Sequence, residues 1–180
     1  LILDNPPDIA IPLDSVCMWN RYESRLTEYN ALRTPQDRER VVLDLLAEER
    51  IRLWEVPLTA EGILQRAGQG TWPEIINAFH AAFAEARGKR IWGDKDPGNM
   101  LRIPQLNRWF PACRIVHLVR DGRDACLSQL KQDFGFDALL PCACAWREQV
   151  WWVRNLGALL GPRFYELRCE DLVDKPAQDV

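Results

Sequence analysis

The stretch with the clearest chemical character is RIVHLVRDGRDACLSQLK, residues 114–131. A strand-like apolar run ends at Arg120, a charged turn around one glycine comes next, and Ser128 lies eight positions later in a helix-like segment. Arginine is a permanently charged, forked donor, and the amides at the start of a helix favour an anion. The pattern predicts a phosphate clamp. The alternative is that Arg120 pairs with Asp121 or Asp124 while Ser128 faces solvent.

A second candidate is Lys95, in IWGDKDPGNM, which comes after another strand-like run. A lysine flanked by Asp94 and Asp96 is commonly a solvated loop charge, and that interpretation stays open. If its strand neighbours the strand that ends at Arg120, two cations converge on one crevice. The ligand would then carry more than one anionic group.

A third candidate is Asp14, in the proline-framed segment PDIAIPLDS. A carboxylate here could accept a proton as a general base. The simpler interpretation is that Asp14 and Ser15 cap the next helix. One carboxylate could do both.

The elements that must position these residues alternate between helix and strand. Helices are predicted from Thr34, with Pro35 at the first position, from the capping box of Thr71 and Glu74, and over residues 137–160. Strands are predicted in three stretches: KRIWGD, CRIVHLV and RFYELRC. This order predicts an α/β protein with a parallel sheet, whose ligands bind at the carboxyl ends of the strands.

Further side chains are interpreted as structural. We expect His117 in the core of its strand and His80 on a helix surface. The long helix carries three tryptophans that are expected to be core residues: Trp146, Trp151 and Trp152.

Composition narrows the function classes. The 180 residues are 47% hydrophobic and 27% charged, enough for one globular domain with a core. A net charge of -3, with no basic cluster, argues against nucleic acid or a membrane surface as partner, and the apolar runs are too short to span a bilayer. The six dispersed cysteines predict buried free thiols rather than disulfides or a metal site, which favours a reducing, cytoplasmic location.

Four segments together resemble the PAPS-dependent sulfotransferases, especially the branch with the tyrosylprotein sulfotransferases and their bacterial relatives. GDKDP is similar to the family's catalytic-lysine segment and FPACRIVHLVRDGRDACLS to its 3'-phosphate segment. RCEDLVDKP is similar to its late Y-E-D-L-type segment, and LILDNPPDIAIPLDS to the segment after its phosphosulfate loop. The resemblance therefore includes the stretch that contains Asp14.

The resemblance implies a P-loop-nucleotide-hydrolase-like fold, a three-layer parallel sheet with flanking helices. It implies that Arg120 and Ser128 hold the 3'-phosphate of PAPS, that Lys95 lies near the oxygen bridging phosphorus and sulfur, and that Asp14 deprotonates the acceptor. The implied reaction is in-line sulfuryl transfer to a hydroxyl or amine acceptor, without a metal.

The chain departs from the family pattern in three places. Asp14 replaces a glutamate and Cys169 replaces a tyrosine. The 5'-phosphosulfate loop is expected before Leu1, so residues 1–180 are expected to be part of a single domain, incomplete at both ends. Residues 17–72 are expected to form a helical insertion on the acceptor side. Acceptor identity and oligomeric state stay open.

Two other functions compete with sulfuryl transfer. One is a non-catalytic protein that binds adenosine bisphosphate, since Asp14 and Cys169 both depart from the family pattern. The other is a helical interaction module, suggested by the eight tryptophans of the chain.

Overall fold

The computed structural model describes residues 7–13, 15, 17–133 and 135–174. The chain divides into two compact units, Leu1–Pro97 and Gly98–Val180. Both units contain helices and parallel strands in alternation, which confirms the α/β class predicted from the order of elements. Asp14 lies outside the described residues.

The first unit pairs two short strands and packs helices beside them. Strand β1 is Ile9–Ala10 and strand β2 is Ile91–Trp92, and they are parallel. The chain between them forms, in order, a π-helix over Met18–Tyr22, a 3-10 helix over Glu23–Leu32, and four α-helices: α1 (Pro35–Ala47), α2 (Glu49–Arg52), α3 (Ala60–Ala67) and α4 (Trp72–Ala86).

The helix starts predicted from the sequence are confirmed. Thr34 and Asp37 form a capping box at α1, and Thr71 and Glu74 form one at α4. The apolar stripe of α4 is buried, with Ile75 and Phe79 fully covered. Local sequence therefore determines where these helices begin and which face they bury.

The second unit contains the longer strands. Strand β3 is Ile115–Val119 and β4 is Phe164–Arg168, paired in parallel over five positions. The helices are a 3-10 helix that begins at the end of the first unit (Pro97–Arg102), α5 (Ile103–Trp109), α6 (Gly122–Gln129), α7 (Leu139–Ala158), a 3-10 turn (Gly161–Arg163) and α8 (Cys169–Asp174).

Helix α7 packs against this pair of strands through its apolar face. Val153 is buried with Ile103 and Leu160, and Phe164 packs against them. Gly157 allows the close approach, because a Cβ atom there would lie 2.4 Å from the Phe164 ring. Trp151 and Trp152 are 61% and 45% exposed, so their predicted core role is wrong: they lie on the other side of α7.

The expected single sheet is seen only in part. Among the described residues the strands form two separate two-stranded parallel sheets, so the parallel pairing is present but a three-layer sheet is not shown. The strands predicted from sequence all form, but they are short in the first unit, where each has two residues.

All six cysteines are free, as predicted, but only Cys17, Cys126 and Cys142 are buried; Cys113 and Cys169 are partly exposed and Cys144 is exposed. Within the described ranges, none of the helices is both long and apolar enough to cross a membrane.

Candidate active site

Arg120 and Cys169 lie at the carboxyl ends of two neighbouring strands. Val119 pairs with Arg168 in the parallel register, and each is followed directly by one of these residues. The Arg120 side chain is exposed. Burial raises the pKa of the Cys169 thiol and so does the charge of Glu170, whereas the positive charge of Arg120 opposes the shift. This end of the sheet thus presents a guanidinium close to a neutral thiol.

The start of α6 is capped by a carboxylate. Asp121 Oδ1 accepts a hydrogen bond from the Arg123 amide at 2.9 Å, and the guanidinium of Arg123 binds the same carboxylate at 2.8 and 3.0 Å. The predicted contribution of the first helix amides to an anion site is therefore wrong at Arg123, whose amide is already occupied. In the alternative interpretation Arg120 pairs with Asp121 or Asp124 and Ser128 faces solvent. The structure pairs Asp121 with Arg123 and leaves Ser128 exposed.

Two side chains hold the turn between β3 and α6. Glu170 Oε1 accepts the Asp121 amide at 2.8 Å, which ties this turn to the start of α8. Trp146 Nε1 donates to the Arg120 carbonyl at 3.2 Å, and its ring lies where a Cβ on Gly122 would come within 3.0 Å. The backbone at Arg120 is thus fixed from α7 and from α8, while its side chain is left at the surface.

Ser128 is exposed on α6, the helix that Arg120 precedes. The two residues predicted to hold a phosphate therefore both belong to the second unit. Arg120 lies in the turn before α6, and Ser128 lies in α6 itself. The Arg123 amide is not available to an anion there, because it donates to Asp121.

His117 is half-buried and has a carboxylate partner. Its Nδ1 lies 3.1 Å from Glu166 Oε2, and Arg154 binds the same carboxylate with two nitrogens, at 2.7 and 2.9 Å. Burial lowers the pKa of His117, opposed by the hydrogen bond to Glu166. The expected structural role of His117 is supported by these contacts.

Lys95 lies in the first unit, in the segment after β2, and its side chain is exposed. The segment runs beside the one that leads to Ser15, because β1 and β2 are parallel and the Gly93 amide donates to the Ala10 carbonyl at 2.9 Å. The predicted base, Asp14, immediately precedes Ser15 in the sequence.

The residue before Lys95 is the centre of a buried polar cluster that sequence analysis missed. The Asp94 carboxylate accepts hydrogen bonds from Ser15 Oγ and, at 3.0 Å, from Trp19 Nε1. Ser15 is fully buried and its hydroxyl donates to Asp94. The N-cap of the π-helix is Cys17, without a side-chain cap, and not Ser15 as predicted.

His80 belongs to the same cluster, and its predicted place on a helix surface is wrong. It is fully buried on α4, with its ring 4.7 Å from that of Trp92 and 5.3 Å from that of Trp54. Its Nε2 lies 3.8 Å from Asp94 Oδ1. The aromatic neighbours Trp54 and Trp92 are far from His80 in sequence, so no local pattern could have indicated this burial.

The structure thus defines an α/β protein with a basic side chain, Arg120, exposed at the carboxyl end of a parallel strand. The sequence model of the sulfotransferase family matches residues 1–180, and the chain belongs to that family. No curated protein and no solved structure matches it. In the described part of the chain, no group of three His, Cys, Asp or Glu side chains could hold a metal ion.

Proposed function

We propose that this protein transfers a sulfuryl group from PAPS to a hydroxyl or amine acceptor. Membership of the sulfotransferase family supports the class of reaction. The observation that carries the proposal is the pair of strand ends in the second unit, where Arg120 is exposed on a backbone held by Trp146 and Glu170. Parallel sheets bind ligands at this position.

Arg120 and Ser128 are proposed to bind the 3'-phosphate of the donor nucleotide. Arg120 supplies a charged, forked donor and Ser128 a hydroxyl, the combination that recognises a phosphate dianion. The neutral Cys169 thiol adds no negative charge beside Arg120, since burial raises its pKa. This site therefore contributes affinity for the nucleotide, and does not act on the bond that breaks.

Lys95 and Asp14 are proposed to act on the reacting atoms. Asp14 accepts the proton of the acceptor as its oxygen or nitrogen forms the new bond to sulfur. Lys95 neutralises the phosphate oxygen that leaves as the old bond to sulfur breaks, a charge that is largest in the transition state. General-base catalysis by Asp14 contributes about 10²–10⁴ in rate.

The acceptor is proposed to bind beside residues 17–72, a stretch that contains the π-helix, the 3-10 helix and helices α1 to α3. Tyr22 and Asp44 line a surface cleft here with Glu48, whose carboxylate accepts from Tyr22 Oη at 3.0 Å. We propose a reducing, cytoplasmic setting for the reaction, which the dispersed cysteines of the sequence favour.

A transfer assay tests the proposal directly. The protein, expressed from its complete reading frame, is incubated with PAPS carrying radioactive sulfur and a panel of peptide, carbohydrate, lipid and small phenolic or amine acceptors. We expect label in at least one acceptor and release of adenosine 3',5'-bisphosphate in equal amount. Binding of the bisphosphate without transfer to any acceptor would instead identify a non-catalytic nucleotide-binding protein, and absence of both would refute the proposal.

A further inference from the structure

We propose that Asp94 is a positioning residue, which fixes the segment carrying Lys95 against the segment that begins after Asp14. The inference rests on the proposed function for its consequence in catalysis. Its structural part is independent of that function and can be measured without any substrate.

The position of Asp94 in the chain gives it this role. Its backbone directly precedes Lys95, and its carboxylate binds Ser15, which directly follows Asp14 in the sequence. A single side chain therefore joins the two segments that carry the proposed catalytic groups. The strands β1 and β2 bring the segments side by side, but their pairing covers only two positions. The carboxylate continues the connection beyond the last strand pair.

The burial of Asp94 makes the connection rigid. Its side chain is 8% exposed, and Ser15 and Trp19 are fully or almost fully buried. An ionised carboxylate out of water is costly unless donors replace its hydration, so both hydrogen bonds are needed to stabilise this arrangement. Asp94 Oδ1 accepts from the Ser15 hydroxyl and Oδ2 from the Trp19 indole.

His80 limits the movement of Asp94 from a third side. The histidine is fixed on α4 because Nδ1 donates to the Ile76 carbonyl at 2.9 Å, one turn earlier. Its Nε2 is buried, has no hydrogen-bond partner among the described residues, and lies 3.8 Å from Asp94 Oδ1. The histidine therefore packs beside the carboxylate, while the hydrogen bonds that hold Asp94 come from Ser15 and Trp19.

The effect on catalysis is a matter of geometry. A displacement of about 1 Å in a group that acts on the transition state costs on the order of 10²-fold in rate. Replacing the carboxylate allows Lys95 to move relative to the segment after Asp14. It leaves Arg120, which belongs to the other unit, with its own contacts. Loss of Asp94 should therefore lower kcat and spare nucleotide affinity.

The test uses Asp94→Asn in the complete protein. Asparagine keeps the size of the side chain but offers one acceptor where the two donors need two. We expect kcat to fall at least about tenfold, while the Kd for adenosine 3',5'-bisphosphate stays within about twofold by calorimetry. Ser15→Ala should lower kcat too, and the double variant should be no slower than Asp94→Asn, since both changes break one connection.

Two nuclear magnetic resonance signals report on the position without enzymatic turnover. The Trp19 indole proton, assigned with Trp19→Phe, should shift in Asp94→Asn. The signal of Lys95 after reductive methylation with ¹³C-formaldehyde, assigned with Lys95→Arg, should shift as well. Ile75→Ala, a buried change near the start of α4 in the same unit, controls for general destabilisation and should leave both signals and kcat near their wild-type values.

These outcomes separate the two proposals. If the wild-type protein transfers no sulfate but both signals shift in Asp94→Asn, the proposed function fails and the positioning by Asp94 stands. If Asp94→Asn leaves both signals unchanged, or leaves kcat unchanged in an active enzyme, the positioning role is overturned.

Discussion

Lys95 and Arg120 are both exposed cations, and the tasks proposed for them differ. Lys95 comes after a short strand and a buried carboxylate, while Arg120 comes after a strand end fixed by Trp146. We expect Lys95→Ala to lower kcat by at least about 10²-fold with little change in nucleotide affinity, because its charge acts in the transition state. Arg120→Ala should chiefly weaken the binding of adenosine 3',5'-bisphosphate, by about 10-fold or more.

Calorimetry and steady-state kinetics on both variants check this division. Arg87→Ala, an exposed arginine that contacts the ring of Phe83, provides the control for a lost surface charge and should match wild type. The reverse pattern, with affinity lost in Lys95→Ala and turnover lost in Arg120→Ala, would show that the two roles are exchanged.

The candidate residues themselves differed in how visible they were in the sequence. Lys95, Arg120 and Ser128 stand out because their neighbours along the chain form a recognisable pattern. Asp94 and His80 do not, because the hydrogen bond from Ser15 to Asp94 and the ring contact of His80 with Trp54 join residues far apart in the sequence. Burial produced by such contacts has no local signature.

At the scale of elements, the turns after β3 and β4 are joined by a single side chain. Glu170, at the start of α8, accepts the amide of Asp121, and this bond is the main cause that lowers the pKa of Glu170. Because Arg120 precedes that amide, we expect Glu170→Ala to weaken nucleotide binding by about three- to tenfold, the usual effect of one lost hydrogen bond.

Glu170→Gln is the matched control, since its amide oxygen can still accept from Asp121. Calorimetric titration with the bisphosphate should give a Kd near wild type for Gln and a weaker one for Ala. Equal losses in both variants would mean that the charge of Glu170 matters, and not its hydrogen bond.

A helix or strand was predictable from the sequence where interactions between neighbouring residues determine it. Thr34 and Thr71 mark helix starts because a cap needs only its own first turn. The extent of the sheets was not predictable in this way, since strand pairing depends on partners distant in the chain. The exposure of Trp151 and Trp152 shows the same limit: helical periodicity predicts a face but not whether that face is covered.

At the scale of the whole molecule, the ionisable groups predict sensitivity to acid. The hydrogen bond from Arg154 lowers the pKa of Glu166, and that from Arg123 lowers the pKa of Asp121. A carboxyl group with a lowered folded pKa stabilises the protein above its unfolded pKa, about 4. That stability is lost as the pH falls through the pKa that the carboxyl group has in the folded protein.

His117 also makes the free energy of unfolding fall as the pH is lowered, but it does so at a higher pH than the carboxyl groups. Burial lowers its pKa below the usual 6.5, so the unfolded chain takes up a proton first as the pH falls. We expect the free energy of unfolding, measured with urea and circular dichroism, to be level from pH 8 to 7, to decline below about pH 6.5 and to fall further below about pH 4. His117→Gln should remove the first decline and keep the second. A stability that rises between pH 7 and 5 would contradict these assignments.

The contact between Trp146 and Gly122 also constrains how this chain can vary. The indole occupies the space that any side chain at position 122 would need, and its nitrogen holds the carbonyl of Arg120. A relative that gains an alanine at position 122 must therefore move the ring at position 146 by a few tenths of an ångström or replace it. The two sites, 24 residues apart in the sequence, should be inherited as a matched pair.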